Sequence, residues 1–385
     1  MSYDLTEEQQ MLKDTVARMA KEQIAPGAEK RDEEGKFSWE MVELLRENAL
    51  FGADFPEEYG GSQMGMLALC LAIEEIAKVC SSTAGLLLVH ELGAMPIFLA
   101  GSKEQKEKYL PDLATGEKLI AFALTEPNAG SDVSGLKTKA VKDGDHYVLN
   151  GAKIFISHGD AADVLTVAAK TDTSVPGHKG ISMFILEKGT PGFQIGKKEN
   201  KLGLRSSSTV ELIFEDVRIP AANLIGAEGV GFSILMKTLD FTRIPVAAQA
   251  LGIAQGALDY SVQYTKERVQ FGSPVFSNQG IQWMAADLAT QIEAARQLTY
   301  KAASAYENLP KNLDKLPKQL VRYSAMAKLY AAETAMRVTT DAVQFLGGYG
   351  YIKEYPVERM MRDAKITQIY EGTSQIQKIV IAGTL

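Results

Sequence analysis

The segment Gln368-Ile369-Tyr370-Glu371-Gly372-Thr373-Ser374-Gln375 sets a carboxylate among apolar neighbours, directly before a glycine turn. A carboxyl group held away from water has a raised pKa, which suits a base that takes a proton near neutrality. Capping a helix is the ordinary alternative for a polar residue at such a turn. Upstream, Gln344-Phe345-Leu346-Gly347-Gly348-Tyr349-Gly350 lets backbone approach a ligand closely. It departs from the G-x-G-x-x-G pattern and no strand precedes it, so a dinucleotide-binding βαβ unit is excluded.

Three other segments carry polar groups in suggestive company. Ala121-Phe122-Ala123-Leu124-Thr125-Glu126 runs through Pro127-Asn128-Ala129-Gly130-Ser131-Asp132. Its turn offers N–H groups and hydroxyls to a phosphate or to the polar edge of a ring, or else simply caps a loop. Gly151-Ala152-Lys153-Ile154-Phe155-Ile156-Ser157 has the alternation of a strand. An aromatic beside a hydroxyl there can lie along a flat ring, although a half-buried strand explains the same pattern. Arg268-Val269-Gln270-Phe271-Gly272-Ser273-Pro274 brings a guanidinium to a helix end, where it is either solvated or clamps a pyrophosphate.

The elements that hold these segments change period twice. From Thr6 to about Glu117 the pattern is helical, with a capping-box start at Thr6 and Gln9 and breaks at Pro26, Pro56 to Gly61 and Gly101-Ser102. A second helical run covers Met66 to Val79. From about Ile120 to Gly226 short β-branched stretches alternate with turns. Asp143-Gly144-Asp145 is a hairpin signal into His146 to Leu149, and Lys153 to Ser157, Val164 to Ala168, Ile181 to Leu186 and Thr209 to Phe214 follow as strands. With no helix-length crossover between them, antiparallel pairing is expected. From about Gly229 the helical period returns in Phe232 to Arg268, Asn278 to Glu307 and Leu316 to Leu346. A last helix begins near Gly372-Thr373. The expected fold is α+β and multidomain: an N-terminal helical domain (1–118), a middle antiparallel β-barrel-like domain (119–227) and a C-terminal four-helix-bundle domain (228–385).

Composition narrows the function. The 385-residue chain carries a formal net charge of -7, which offers no basic surface to a nucleic acid. Cys70 and Cys80 sit in an apolar stretch and are expected as buried free thiols, as in a reducing compartment. His90, His146, His158 and His178 lack metal-ligand spacing, so no metal is expected. The acidic N-terminus lacks the pattern of a secretory signal. Ala84 to Ala100 is interrupted by His90, Glu91 and Pro96 and falls short of a membrane span, so a buried helix in a cytoplasmic protein is expected.

Taken together, these segments resemble the acyl-CoA dehydrogenase family over essentially the whole chain. Leu124-Thr125-Glu126 through Gly130-Ser131-Asp132 matches the family's first signature. Gln344 through Gly347-Gly348-x-Gly350, with Glu354, Arg359 and Asp363 at the expected spacing, matches its second. The wording is most similar to the short-chain, butyryl-CoA-type branch.

That resemblance implies FAD held between the β domain and the C-terminal bundle. Phe122, Leu124, Thr125, Gly130 and Ser131 would line the flavin and pyrophosphate, and Phe155 and Ser157 would flank the ring. Arg268, Phe271 and Gln279 would reach the FAD of a neighbouring subunit, as would Gln344 to Gly348, in a homo-oligomer built as a dimer of dimers. Thr373 and Gln375 would complete the cofactor site. Glu371 occupies the catalytic position, its N–H and a ribityl hydroxyl of the cofactor holding the thioester oxygen. Asp240 and Arg243 occupy CoA-contacting positions, with a surface ion pair as the alternative, and Tyr370, Gly372 and Ser131 border the substrate. Electron-transferring flavoprotein is the implied electron acceptor.

The implied reaction is α,β-dehydrogenation of a short-chain acyl-CoA to the trans-2-enoyl-CoA, or its reverse. A cyclic or polar acyl-CoA, or a non-catalytic flavoprotein partner, are the alternatives. Glu91 departs from the family's small or amide residue near the inner pocket. It either contacts a polar or cyclic acyl group or is a solvated or helix-paired glutamate.

Overall fold

The computed structural model describes residues 5–309 and 315–385. The first four residues, and residues 310–314 between the helical runs expected to end at Glu307 and to resume at Leu316, therefore lie outside the described residues. Helices α1 (Glu7–Met19), α2 (Ala28–Glu34), α3 (Trp39–Glu47), α4 (Gly65–Ala77), α5 (Ser81–Ala100) and α6 (Lys103–Thr115) form the first part. The capping box is present at Thr6: its Oγ accepts the Gln9 N–H at 3.2 Å, and Gln9 Oε1 accepts the Thr6 N–H at 3.1 Å. Ser102 and Gln105 repeat the device at the start of α6.

Helix α5 has the length and composition to cross a membrane, yet most of it is buried inside the protein. It is the central helix that the β-domain packs against. Cys70 and Cys80 are free and buried, as expected.

The middle strands are β1 (Ile120–Ala123), β2 (Lys139–Asp143), β3 (His146–Ser157), β4 (Val164–Lys170), β5 (Ile181–Glu187), β6 (Phe193–Lys198), β7 (Thr209–Pro220) and β8 (Leu224–Ile225). They run in the order β6-β7-β3-β2-β4-β5-β8. Two expectations need correction. The stretches His146 to Leu149 and Lys153 to Ser157 are one 12-residue strand, bent rather than broken at Gly151. And β1 pairs parallel with β4, Ile120 opposite Val164, because the β2–β3 hairpin serves as the crossover that a helix usually supplies.

Strands β4 and β5 are buried on both faces up to their last residues, Lys170 and Glu187. Val164, Ala168, Ile181, Met183 and Ile185 face a core shared with α5, α6 and the next helix. Leu165, Val167, Ala169, Phe184 and Leu186 face the interior of the β-domain itself.

Helices α7 (Gly231–Glu267), α8 (Gln279–Glu307) and α9 (Lys318–Leu346) are the expected long segments. The shorter α10 (Pro356–Thr367) packs on α7 and α9 as the fourth member, and α11 (Ser374–Ala382) packs on α9. Between α7 and α8 a small hairpin pairs β9 (Val269–Gln270) with β10 (Ser273–Pro274). The bundle and the N-terminal helices share one core, in which α4 lies directly on α7. Gly252 and Gly256 permit that contact, since a Cβ on them would meet Glu74 O at 2.3 Å and Lys78 O at 2.1 Å.

Candidate active site

Glu371 lies in the turn between α10 and α11, with a left-handed backbone at φ 50°, followed by Gly372 at φ 92°. A side-chain-bearing residue holds that conformation only when its surroundings enforce it. Four contacts do so. Lys328 Nζ of α9 donates to Gly372 O at 2.7 Å. Gln377 Nε2 of α11 donates to Gly372 O at 2.8 Å and to Glu371 O at 3.1 Å. The Thr242 hydroxyl of α7 donates to Glu371 Oε2 at 2.5 Å.

The other oxygen of Glu371, Oε1, is buried with no hydrogen-bond partner among the described residues. No backbone hydrogen bond among those residues takes up the Glu371 N–H either. One residue therefore holds an unsatisfied acceptor and an available donor side by side. Burial pushes the carboxyl up to about 7, opposed by the Thr242 hydrogen bond and by the positive charges of Lys328 and Arg243.

Arg243 is 3 % exposed and pairs with Asp240 one turn back at 2.5 Å. The surface-pair alternative is thereby corrected: Arg243 is buried and Asp240 half-buried at the wall of a cleft, and Arg243 Nε is left without a partner among the described residues. Burial raises the Asp240 carboxyl and lowers the Arg243 guanidinium. Asp240 also lines an open cleft of about 680 Å³ with His178, Lys179, Phe232, Lys237 and Lys315. The lysines that line this cleft favour an anionic ligand. Tyr370, also expected at the substrate, donates its hydroxyl to Gln249 Oε1, and Gln249 in turn donates to Ser81 O at 3.0 Å.

Glu91 of α5 is 4 % exposed, which rules out the solvated alternative. Asp54 accepts a hydrogen bond from it, and Glu371 and Tyr306 lie within electrostatic reach. Burial first, then the facing carboxylate, raises the Glu91 carboxyl, and burial pushes Asp54 up to about 6. Asp54 Oδ1 has no partner.

The β-domain residues form a second group. Lys153 is fully buried and donates to Leu124 O at 2.9 Å and Glu126 Oε1 at 2.8 Å. Ile154 N–H donates to Thr125 O at 2.9 Å. These bonds tie the Leu124-Thr125-Glu126 loop to β3 one to four residues from Phe155 and Ser157. Phe155 sits where the β3–β7 register shifts, at φ 58°, and its ring is 59 % exposed. A bulge that turns an aromatic outward at a sheet rim re-aims it toward a ligand. Phe122 is buried and Gly130 has open space where a Cβ would stand. An open glycine turn and a presented aromatic beside Ser157 fit a flat heteroaromatic cofactor carrying phosphates.

Arg268, Phe271, Gln279 and the Gln344 to Gly348 segment gather elsewhere. Arg268 lies over the Tyr349 ring at 5.3 Å, beside the glycine turn, and Phe271 is fully exposed at the β9–β10 hairpin tip. Arg243 lies in the first half of α7 and Arg268 caps its C-terminus, which at a helical rise of ~1.5 Å separates them by roughly 37 Å. Within one chain this group cannot join Glu371. Thr373 spends its hydroxyl capping α11 and Gln375 is exposed. Sequence reasoning missed Thr242, Lys328, Gln377 and Asp54. Lys328 carries a legible signal, a lysine on the alanine-rich buried face of α9.

Comparisons with known proteins agree with this geometry. Models of the acyl-CoA dehydrogenase N-terminal, middle and C-terminal domains match residues 6–117, 121–217 and 229–385. A short-chain-specific acyl-CoA dehydrogenase of Clostridium acetobutylicum is 51% identical over 100% of both chains. A cyclohex-1-ene-1-carbonyl-CoA dehydrogenase of Geobacter metallireducens is 51% identical over 99% of this chain and 98% of its own. The structure of butyryl-CoA dehydrogenase from Megasphaera elsdenii superposes with a TM-score of 0.95 at 49% identity, covering 100% of this chain and 99% of that one. A structure described for the electron transferring flavoprotein of Acidaminococcus fermentans also superposes at 0.95, with 51% identity over 99% of this chain and 98% of that one. With all three domain models matched in order around a buried glutamate on a braced turn, the chain belongs to the acyl-CoA dehydrogenase family of flavin-dependent oxidoreductases.

Proposed function

We propose that this protein dehydrogenates a short-chain acyl-CoA of butyryl size between Cα and Cβ, with Glu371 taking the α-proton. The observation that carries this reading is the state of Glu371: Oε1 buried and unpartnered, Oε2 held by Thr242. A thioester acidifies its α-carbon only modestly, so the base must be close and the developing enolate oxygen must meet donors. The Glu371 N–H provides one such donor from the same residue that supplies the base. Burial keeps water from the carboxylate, while Lys328 and Arg243 keep a useful fraction of it ionised at neutral pH. Lys237, Lys179 and Lys315 receive the phosphates of the CoA moiety in the cleft, beside Asp240.

FAD is the cofactor of this reading, and when bound it accepts the β-hydrogen as hydride at N5. Phe122, Leu124, Thr125, Gly130, Ser131, Phe155 and Ser157 would hold it, with Arg268, Phe271, Gln279 and Gln344 to Gly348 supplied by a second subunit. The roughly 37 Å along α7 between Arg243, which lies beside Glu371, and Arg268 supports that division and a homo-oligomer. The domain boundaries near residues 118 and 228, a cytoplasmic location and electron-transferring flavoprotein as acceptor belong to the same proposal. Incubation with butyryl-CoA and an artificial electron acceptor tests it. Crotonyl-CoA is the expected product, and no enoyl product from any acyl-CoA would overturn it.

A second reading, a polar or cyclic acyl group, is favoured by the Asp54–Glu91 pair near Glu371. With its proton engaged by Asp54, Glu91 leaves an acceptor oxygen for a donor group on the substrate, which a plain butyryl chain does not carry. Glu91→Gln should then change the ranking of cyclic or hydroxylated thioesters against butyryl-CoA, and an unchanged ranking removes it.

A further inference from the structure

Lys328 stands in the middle of α9 with no solvent exposure, among Ala325, Ala327, Ala331 and Ala332. An ammonium in such surroundings is retained only where it is hydrogen-bonded or faces an opposite charge. Lys328 has both: Gly372 O at 2.7 Å and the carboxylate of Glu371 within electrostatic reach. The carbonyl it holds belongs to the second of two successive left-handed residues, and the first is Glu371. Gln377 donates to the same carbonyl, and a Cβ on Gly372 would meet its Nε2 at 2.7 Å.

We propose that Lys328 is a positioning residue for the reaction: it fixes the Glu371–Gly372 turn, and so aims both the base and its N–H, while its charge favours the carboxylate. This rests on Glu371 being the base. The groups that reach Glu371 are Thr242 and Arg243 from α7, Lys328 from α9, Glu91 from α5 and the adjoining Tyr370, with Asp240 paired to Arg243 and Glu333 acting on Lys328. Thr242, Lys328 and Arg243 lower its carboxyl against burial. Arg243 is already engaged by Asp240, and Thr242 carries no charge. Lys328 is thus the cation of this set that has no carboxylate of its own within salt-bridge distance, since Glu333 is taken by Ser374 and Gln368.

The test compares Lys328→Met and Lys328→Gln in the FAD-bound enzyme across the neutral pH range. Lys328→Met should lower kcat for butyryl-CoA by about tenfold or more with KM changed less than about threefold. Its acid limb should move up by about one pH unit. Lys328→Gln keeps a donor to Gly372 O, so it should recover part of kcat while retaining the shifted limb. Difference infrared titration of the Glu371 carboxyl in flavin-free protein, against Glu371→Gln, should show the same shift without turnover. Should Lys328→Met fail to fold, Lys328→Gln and the infrared titration decide alone. Wild-type kcat and an unmoved carboxyl in a variant with full FAD content would overturn the proposal. A wild-type enzyme that no thioester reduces would instead count against Glu371 as base, and the infrared titration would still report on the Lys328–Glu371 coupling.

Discussion

The Thr242 hydroxyl lies 2.5 Å from Glu371 Oε2, across 129 residues of sequence, while Glu371 Oε1 lies buried and unpartnered. The hydrogen bond stabilises the charged form and leaves the second oxygen as the one free to take a proton. Thr242→Val keeps the shape and removes the donor. Hydrogen bonds to charged groups contribute about 1.5–3 kcal/mol, so the acid limb of kcat should rise by about one to two pH units. A pH–rate profile of the variant checks this.

Ionisation of Glu371 sets the sign of two pH effects. As a base it must be deprotonated, so kcat should rise with pH and level off above about 7. For stability the sign is opposite. The folded value, about 7, lies above the ordinary 4.5, so its contribution is fully present below 4.5 and lost as pH rises through 7. Glu371→Gln should therefore raise the Tm of the flavin-free protein at pH near 8, by up to roughly 3 kcal/mol of stability, and leave it unchanged at pH near 4. Calorimetry at the two pH values checks it.

Lys153 and Glu126 tie the loop after β1 to β3 with both charges buried. Lys153→Met would strand Glu126, whose carboxylate also accepts the N–H groups of Lys137 and Thr138. Breaking a buried pair from one side costs about 3–5 kcal/mol. The variant should unfold at lower denaturant concentration and, because Leu124 and Thr125 ride on the same loop, release FAD more readily on dilution. Flavin fluorescence during denaturation follows both.

Much of this was legible in the chain. The long helices and most strands followed from hydrophobic period alone, and the turn holding Glu371 from a carboxylate before glycine. What was not legible depends on contacts between distant segments. Parallel pairing of β1 with β4 is invisible locally, because a hairpin rather than a helix makes the crossover. The bulge at Phe155 inserts no glycine to announce it. The surface-pair alternative for Asp240 and Arg243 failed because i,i+3 spacing says nothing about what covers the pair. Glu91 reads as solvated until α5 is seen enclosed, with Asp54 brought against it from a loop 37 residues earlier. Thr242 lies between Asp240 and Arg243 in the chain, yet its role exists only once α7 crosses the turn before α11.

The most direct test of Glu371 as the base is an anaerobic titration of the FAD-replete protein with butyryl-CoA, followed by flavin absorbance, in wild type and in Glu371→Gln. Bleaching of the wild type and a rate lower by roughly 10²–10⁴-fold in the variant is the expected result. Equal bleaching in both, or none in the wild type with any acyl-CoA, would contradict it.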